Sequence, residues 1–290
     1  MAPVLTAGGL TPAEPDRWSR WLLERRGGRL DRLPAIRDRV LALAEPLEGA
    51  TLLDVGTGDG LIGLAALERV GPAGRVVFSD VSPALLEHTR GLAHGPRASF
   101  VVTRAEDLAG IADASVDVVT TRSVLIYVDD KAAAFRAMRR VLRPGGRIAL
   151  FEPINRLMFP EPPGRFWGYD VSAAADLVAR LATAYAREAR PAMTGFDDRD
   201  LARLAENAGF ARVHVECHID VEPGAALHEA ELEALLDVAP NPNAPTVREA
   251  LDATFDAAER DRFVAALGAA MADGHAVRRH AVAYVAARLD

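Results

Sequence analysis

Residues 50–61, Ala-Thr-Leu-Leu-Asp-Val-Gly-Thr-Gly-Asp-Gly-Leu, constrain the fold more than any other stretch of this chain. The apolar run Thr51–Val55 reads as a buried parallel strand and ends in the alternate glycines Gly56, Gly58 and Gly60; helical apolar spacing resumes from Leu61 to about Val70. Strand, glycine turn and helix in that order define an α/β unit. Glycine reaches positive φ freely and carries no Cβ, so the backbone can come close to a bound ligand. The turn delivers that ligand to a helix N-terminus, whose N–H groups favour an anion.

Spacing separates the candidate ligands. A dinucleotide fingerprint reads G-x-G-x-x-G, whereas here Asp54-x-Gly56-x-Gly58-x-Gly60 has an acid closing the strand. Twenty residues after Gly60, Asp80 closes a second strand-like run, Arg75–Asp80, at the point where an acid accepts from both hydroxyls of a ribose. Further strands are expected at Ser99–Thr103, Val116–Thr121, Arg147–Glu152, Ala211–Val221 and Arg278–Ala287, with helices between them.

With these segments in place the chain resembles the class I S-adenosylmethionine (SAM)-dependent methyltransferases, in the UbiE- and arsenite-methyltransferase-like subgroup that acts on small molecules. LLDVGTGDG, VVFSDVSPALLE, RAEDL, DVVTTRSVLIYVDD and VLRPGGRIALFEP follow the family's order and intervals across residues 50–153. The rival reading of the motif is a Rossmann-like domain that binds NAD or no ligand. The resemblance implies an α/β, Rossmann-like sheet of order 3-2-1-4-5-7-6 with the last strand antiparallel. It also implies N-terminal helices and two helical insertions forming a lid, with S-adenosyl-L-methionine as cofactor. Cofactor contacts are then expected from Asp54, Gly56, Thr57, Gly58 and Gly60, from Asp80 and Val81, and from Arg122 and Ser123. At the adenine corner many relatives read Gly-Asp-Ala-Glu, but here Arg104 stands at the aspartate position. The adenine contacts pass instead to the Ala105 N–H and to the carboxylate of Glu106 or Asp107. Arg122 suits the SAM carboxylate or an acidic substrate group; the alternative is a salt bridge to a neighbouring acid such as Asp54 or Glu152.

Domain boundaries follow: 1–49 an N-terminal helical cap, 50–153 the SAM-binding core, 154–194 a lid insertion, and 195–290 the rest of the sheet with a helical insertion at 223–275. Residues 1–13 are expected to be poorly ordered. Trp18, Trp21, Leu22 and Arg25 recur at helical spacing on a helix 16–26 ended by Gly27-Gly28, either packing on the sheet or covering the cofactor. A second helix is expected from Leu33 to Leu47. Phe159, Phe166, Trp167 and Tyr169 suit a lid over an apolar, partly aromatic or polyketide-like acceptor; alternatively they pack on the second insertion.

Composition narrows the function classes. A net charge of −7 with no long basic stripe argues against a nucleic-acid substrate. No apolar run approaches the ~20 residues that span a bilayer, and Met1–Pro15 shows no secretory pattern, so a cytoplasmic location is expected. Cys217 is the sole cysteine, which weighs against arsenite-type enzymes that need several. On Arg212–Val221 the polar positions His214, Glu216, His218 and Asp220 alternate with apolar ones; this marks a strand with one solvated face rather than a metal site, and no metal is expected.

A bound sulfonium already makes its methyl carbon electrophilic, so a dedicated base is optional and the catalytic residues stay unassigned. Glu152 and Tyr169 are candidates by position, each expected to face the cleft. The reading is SAM-dependent O- or C-methylation of a small molecule, within natural-product or secondary metabolism. The alternatives are a SAM-binding enzyme that uses the sulfonium for other chemistry and a non-catalytic SAM-binding regulatory module. Acceptor identity and oligomeric state are not legible.

Overall fold

The computed structural model describes residues 17–24, 32–188, 191–224, 226, 229–241, 244–274 and 276–290. The expectations for residues 1–13, the Trp18 and Arg25 side chains, Gly27-Gly28 and Pro242-Asn243 lie outside the described residues. Strands in chain order are β1 (Thr51–Val55), β2 (Arg75–Asp80), β3 (Ala98–Val102), β4 (Val116–Arg122), β5 (Leu142–Pro153), β6 (Arg165–Phe166), β7 (Tyr169–Asp170), β8 (Ala211–Pro223) and β9 (Val277–Arg288). Helices are α1 (Arg17–Glu24), α2 (Leu33–Leu43), α3 (Leu61–Arg69), α4 (Pro83–Leu92), α5 (Lys131–Val141), α6 (Ala175–Glu188), α7 (Pro191–Thr194), α8 (Asp198–Asn207), α9 (Glu229–Leu236), α10 (Val247–Thr254) and α11 (Ala257–Ala272). The chain divides into two compact units. The first runs through Ile154 and takes back Gly195–Cys217 and Val282–Asp290; the second comprises Asn155–Thr194 and His218–Ala281.

A seven-stranded sheet has the order β3-β2-β1-β4-β5-β9-β8, which is 3-2-1-4-5-7-6 when only its own strands are counted. β1 lies parallel to β2 and β4, β2 to β3 and β4 to β5, while β9 runs antiparallel to β5. Parallel strands must be covered on both faces, which is why β1 reads as a near-continuous apolar run. On one side Leu41 of α2, Ile62 and Ala66 of α3 and Leu86 of α4 close over Leu52, Val76 and Phe78 of the sheet. Phe78 stacks on Phe100 across β2 and β3 at 5.1 Å between ring centres.

Several boundaries depart from expectation for local reasons. α2 stops at Leu43 rather than Leu47, because Pro46 offers no N–H and the residue before a proline avoids helical geometry. β5 begins at Leu142, which pairs with Val116; the ladder slips before Arg147 pairs with Val118, so Pro144-Gly145-Gly146 is a bulged part of the strand instead of a separate turn. Ser82 caps α4 by accepting from Leu85 N–H, and Asp130 caps α5 by accepting from Ala133 N–H.

The β6–β7 hairpin is a further departure. Its turn residues Trp167 and Gly168 have φ of +52° and +85°, the sign a two-residue hairpin requires, although only the glycine adopts it without strain. Phe166 and Tyr169 thereby face each other in register, and Gly168 N–H donates to Glu161 Oε1 at 2.7 Å. In the second unit both insertions contribute to one core. Phe166 meets Phe263 edge-on at 5.3 Å, Phe263 meets Phe255 at 5.9 Å, and Tyr169, Leu177, Leu251 and Met271 join them. The aromatics at 166 and 169 therefore pack onto the second insertion, as the alternative reading had it. Leu157 and Phe159 remain 43% and 53% exposed.

Because Phe263 is fully buried at the centre of this core, Phe263→Ala is expected to cost about 3–5 kcal/mol in urea unfolding. A loss below ~1 kcal/mol would contradict a core shared by the two insertions.

Candidate active site

The site is built at the carboxyl ends of β1, β2 and β4, where open α/β sheets bind ligands. Asp54, which is 2% exposed, forms its keystone. Its Oδ2 accepts from Thr57 Oγ1 at 2.7 Å and from Gly63 N–H at 3.0 Å, and its Oδ1 accepts from Thr120 Oγ1 at 2.9 Å. One carboxylate thus ties β1 to β4, to the glycine turn and to the first turn of α3. Gly63 is a glycine inside a helix because a Cβ there would lie 2.4 Å from Phe78 Cε1 and 2.9 Å from Asp54 Oδ2. Burial pushes the Asp54 pKa up to about 6, and the Thr57, Thr120 and Gly63 donors limit the rise.

Two of the first three α3 N–H groups are therefore taken by the chain's own acids, Gly63 by Asp54 and Leu61 by Asp59 Oδ1 at 3.3 Å. This corrects the expectation of a helix N-terminus open to an anion. A pyrophosphate there would meet two carboxylates, whereas a ligand bearing an ammonium group is favoured. The NAD reading loses its main physical support.

Gly56, Gly58 and Gly60 have φ of +63°, +57° and +84°, and a Cβ on Gly56 would come 2.4 Å from Val124 Cγ2. Asp80 receives Gly58 N–H on Oδ2 at 3.0 Å and Ser82 N–H on Oδ1 at 2.9 Å, which fixes the carboxylate beside the turn. Val81, the next residue, is 55% exposed and offers an apolar face. α1 approaches the turn through two residues: Ser19 Oγ and Ser82 Oγ are 2.7 Å apart, and Leu22 Cδ2 would be 2.9 Å from a Cβ on Gly58.

After β3, Ala105 is buried, Arg104 pairs with Glu106 Oε1 at 2.8 Å, and Asp107 Oδ1 accepts from Ala109 N–H at 3.0 Å and Thr103 Oγ1 at 3.3 Å. Asp107 thus closes its own turn, which leaves Glu106 as the better placed acceptor of the pair. At the end of β4, Arg122 meets Asp59 Oδ1 at 3.5 Å, the salt bridge to a neighbouring acid of the alternative reading, with Asp59 as partner rather than Asp54 or Glu152. Ser123 is held at φ +58° with its N–H on Phe151 O, a strained non-glycine position next to Arg122. Asp59, Thr120 and Gly63 escaped the sequence reading; the signal available was only that Asp59 stands inside the glycine turn.

The expectation that Glu152 and Tyr169 face the cleft is not met. Glu152 is fully buried; Oε1 accepts from Val124 and Leu125 N–H, both at 3.0 Å, and from Thr121 Oγ1 at 3.3 Å, and Oε2 accepts from Ile126 N–H at 3.3 Å. It caps the 3-10 turn Leu125–Tyr127 and has no reach to a substrate. Tyr169 is 3% exposed, turned into the second unit's core by the β6–β7 hairpin. On β8, His214 Nε2 lies 3.0 Å from Glu216 Oε1, which Arg39 also holds. Among the described residues no group of three or more His, Cys, Asp or Glu is arranged to hold a metal ion.

Comparison with known proteins agrees with this geometry. Residues 53–150 match the family model described as a methyltransferase domain. Nocamycin O-methyltransferase of Saccharothrix syringae is 33% identical over 261 residues, covering 87% of this chain and 89% of the relative. The UbiE ubiquinone/menaquinone C-methyltransferase of Hahella chejuensis is 33% identical over 172 residues, 56% of this chain and 67% of its own. In fold, the chain is similar to the solved SAM-dependent methyltransferase of Mesorhizobium loti, at 18% identity and a TM-score of 0.50 over 90% of this chain and 98% of that one. The chain belongs to the SAM-dependent methyltransferases and uses S-adenosyl-L-methionine as cofactor.

Burial also raises the Glu152 pKa to about 7, despite its backbone and Thr121 donors. A buried carboxyl whose folded pKa lies above its unfolded value adds stability that is present below the unfolded pKa and lost as pH rises through the folded one. The advantage of the wild type over Glu152→Gln is therefore expected to shrink by roughly 2–3 kcal/mol between pH 5 and pH 8 in urea unfolding. An advantage that does not change with pH would rule out this titration.

Proposed function

We propose that the protein transfers a methyl group from SAM to an oxygen or carbon nucleophile on a small natural-product-like acceptor. The observation that carries this reading is the extent of the match to nocamycin O-methyltransferase. At 87% of the chain it takes in far more than the core matched by the family model, whereas the UbiE match covers 56%. The insertions, where acceptor selection resides in this reading, belong to what the chain shares with nocamycin O-methyltransferase.

Bound SAM supplies an electrophilic methyl carbon on a positively charged sulfur. The chain's part is to hold and orient. Asp80 accepts from the ribose hydroxyls with the lone pairs its two backbone N–H partners leave, and Val81 offers its exposed side chain to the adenine. The Ala105 N–H and Glu106 pair with the adenine edge. Gly56–Gly60 let the backbone approach, and Asp54, through Thr57 and Gly63, sets the shape of that turn. Arg122 at the rim attracts the amino-acid carboxylate while Asp59 beside it attracts the ammonium. α1, anchored by Ser19 and Leu22, covers the turn and excludes water. On the second unit Leu157 and Phe159 are exposed apolar side chains, and in this reading they take part in selecting the acceptor. A cytoplasmic location without a nucleic-acid partner accords with the chain's charge and with the lack, among the described residues, of any helix long and apolar enough to cross a membrane.

Asp80→Ala is expected to weaken SAM binding tenfold or more in calorimetry, as loss of charge-assisted hydrogen bonds at ~1.5–3 kcal/mol each requires. Unchanged affinity would remove Asp80 from the cofactor site. Leu157→Ser/Phe159→Ser should leave SAM affinity within about threefold, a change under ~0.7 kcal/mol, while kcat/KM for an aromatic or polyketide acceptor falls at least tenfold. The activity itself is read as S-adenosylhomocysteine released in step with a product one methyl heavier. Release without a mass gain, or no release with any acceptor, would overturn the methyl-transfer proposal.

A further inference from the structure

A cavity of about 310 Å³ lies at the other end of the sheet, lined by Arg147, Arg212, His214 and Arg288 together with Glu45 and residues of α2 and β9. Arg147 opens the regular part of β5 opposite Val118 of β4, whereas Arg122, beside the glycine turn, closes β4. Those four residues of strand put the cavity about 13 Å from the cofactor end. It belongs to the amino ends of the parallel strands and plays no part in the site described above.

The placement of charge there is unusual for a chain with a net charge of −7. Arg147 and Arg288 are direct partners across β5 and β9, an arrangement of like charges that weakens a strand pair. Arg147 is pinned: its guanidinium donates to Ala44 O and Pro46 O. Arg212, at the start of β8, is held at φ +50°, a conformation a long side chain adopts only under constraint. His214 stands two residues on, on the same side of the strand. Of the nearby acids, Asp117 takes Arg143 on both oxygens at 2.7 Å, Glu216 holds Arg39 and lies 3.0 Å from His214 Nε2, and Glu45, itself in the cavity wall, accepts from Leu47 N–H at 2.9 Å. The cavity wall thus carries three arginines against one acid, Glu45. Guanidinium forks match the paired oxygens of phosphate and carboxylate. A concave cavity of this size is that of a small-molecule site, and the missing basic stripe argues against a nucleic acid.

We propose that this cavity is an accessory binding site for a small molecule carrying two or more anionic groups, a phosphorylated or polycarboxylate compound, held by Arg147, Arg212 and Arg288 with His214 in its wall. Its distance from the cofactor end makes it a site that acts on the stability or motion of the sheet rather than on the reacting atoms.

The test is thermal melting of the full chain titrated with inorganic pyrophosphate or with citrate, each against sodium chloride at equal ionic strength. A saturable rise in Tm with either probe is expected, and which probe gives it identifies phosphate or carboxylate as the recognised group. The double variant Arg212→Ala/Arg288→Ala should bind that probe at least tenfold more weakly, with SAM affinity within twofold of wild type; Arg136→Ala on α5 should respond as wild type does. Without a probe, Arg288→Gln should melt no lower than wild type, because it relieves the repulsion with Arg147. A response no greater than chloride's for both probes, an undiminished response in the double variant, or a lower melting point for Arg288→Gln would each overturn the proposal.

Discussion

The structure of the cofactor end depends on one buried carboxylate. Asp54 is almost wholly out of water, yet it accepts from Thr57, Gly63 and Thr120, so the strand, the turn that follows, the next helix and the neighbouring strand share one acceptor. Burying a charge is unfavourable unless it is hydrogen-bonded, and a raised pKa records the residual cost. Glu152 repeats the device one strand further along, gathering the N–H groups of Val124, Leu125 and Ile126. Both acids act on the reaction by shaping loops. Neither is free to exchange protons with a substrate.

That arrangement also explains the choice of ligand. A helix start whose N–H groups are already held by Asp54 and Asp59 carries negative charge where a dinucleotide fold would carry none. Such a start disfavours phosphate, and in the proposed function a zwitterionic amino-acid moiety lies beside Arg122. In our proposal anions bind instead at the amino ends of the strands, in the cavity that Arg147 and Arg288 line, so that the two ends of one sheet differ in the charge they accept.

The second unit shows how segments distant in the chain become one body. Residues 155–194 and 218–281 are separated by α8 and the first half of β8, yet Phe166 packs on Phe263 and Tyr169 bridges to Ala276. Each insertion alone leaves an apolar face open, and burying those faces together removes both from water.

The sequence by itself determined the strands of the sheet and the positions of the glycine turn, Asp80 and Arg122, because strand and turn signals are local: apolar runs, alternate glycines, acids closing strands. The order of the sheet followed from the resemblance to the methyltransferase family, whose motifs stand in the same succession. Only the tertiary structure decided what those groups do. That Asp54 also takes Gly63 N–H and Thr120 Oγ1, that Glu152 is spent mainly on backbone donors, that Arg122 faces Asp59 and that Arg147 stands opposite Arg288 are facts of pairing between residues 9 to 141 positions apart, and that Tyr169 turns into a core is a fact of packing. Register, burial and the direction of a side chain arise from the packing of whole elements, and no local pattern encodes them.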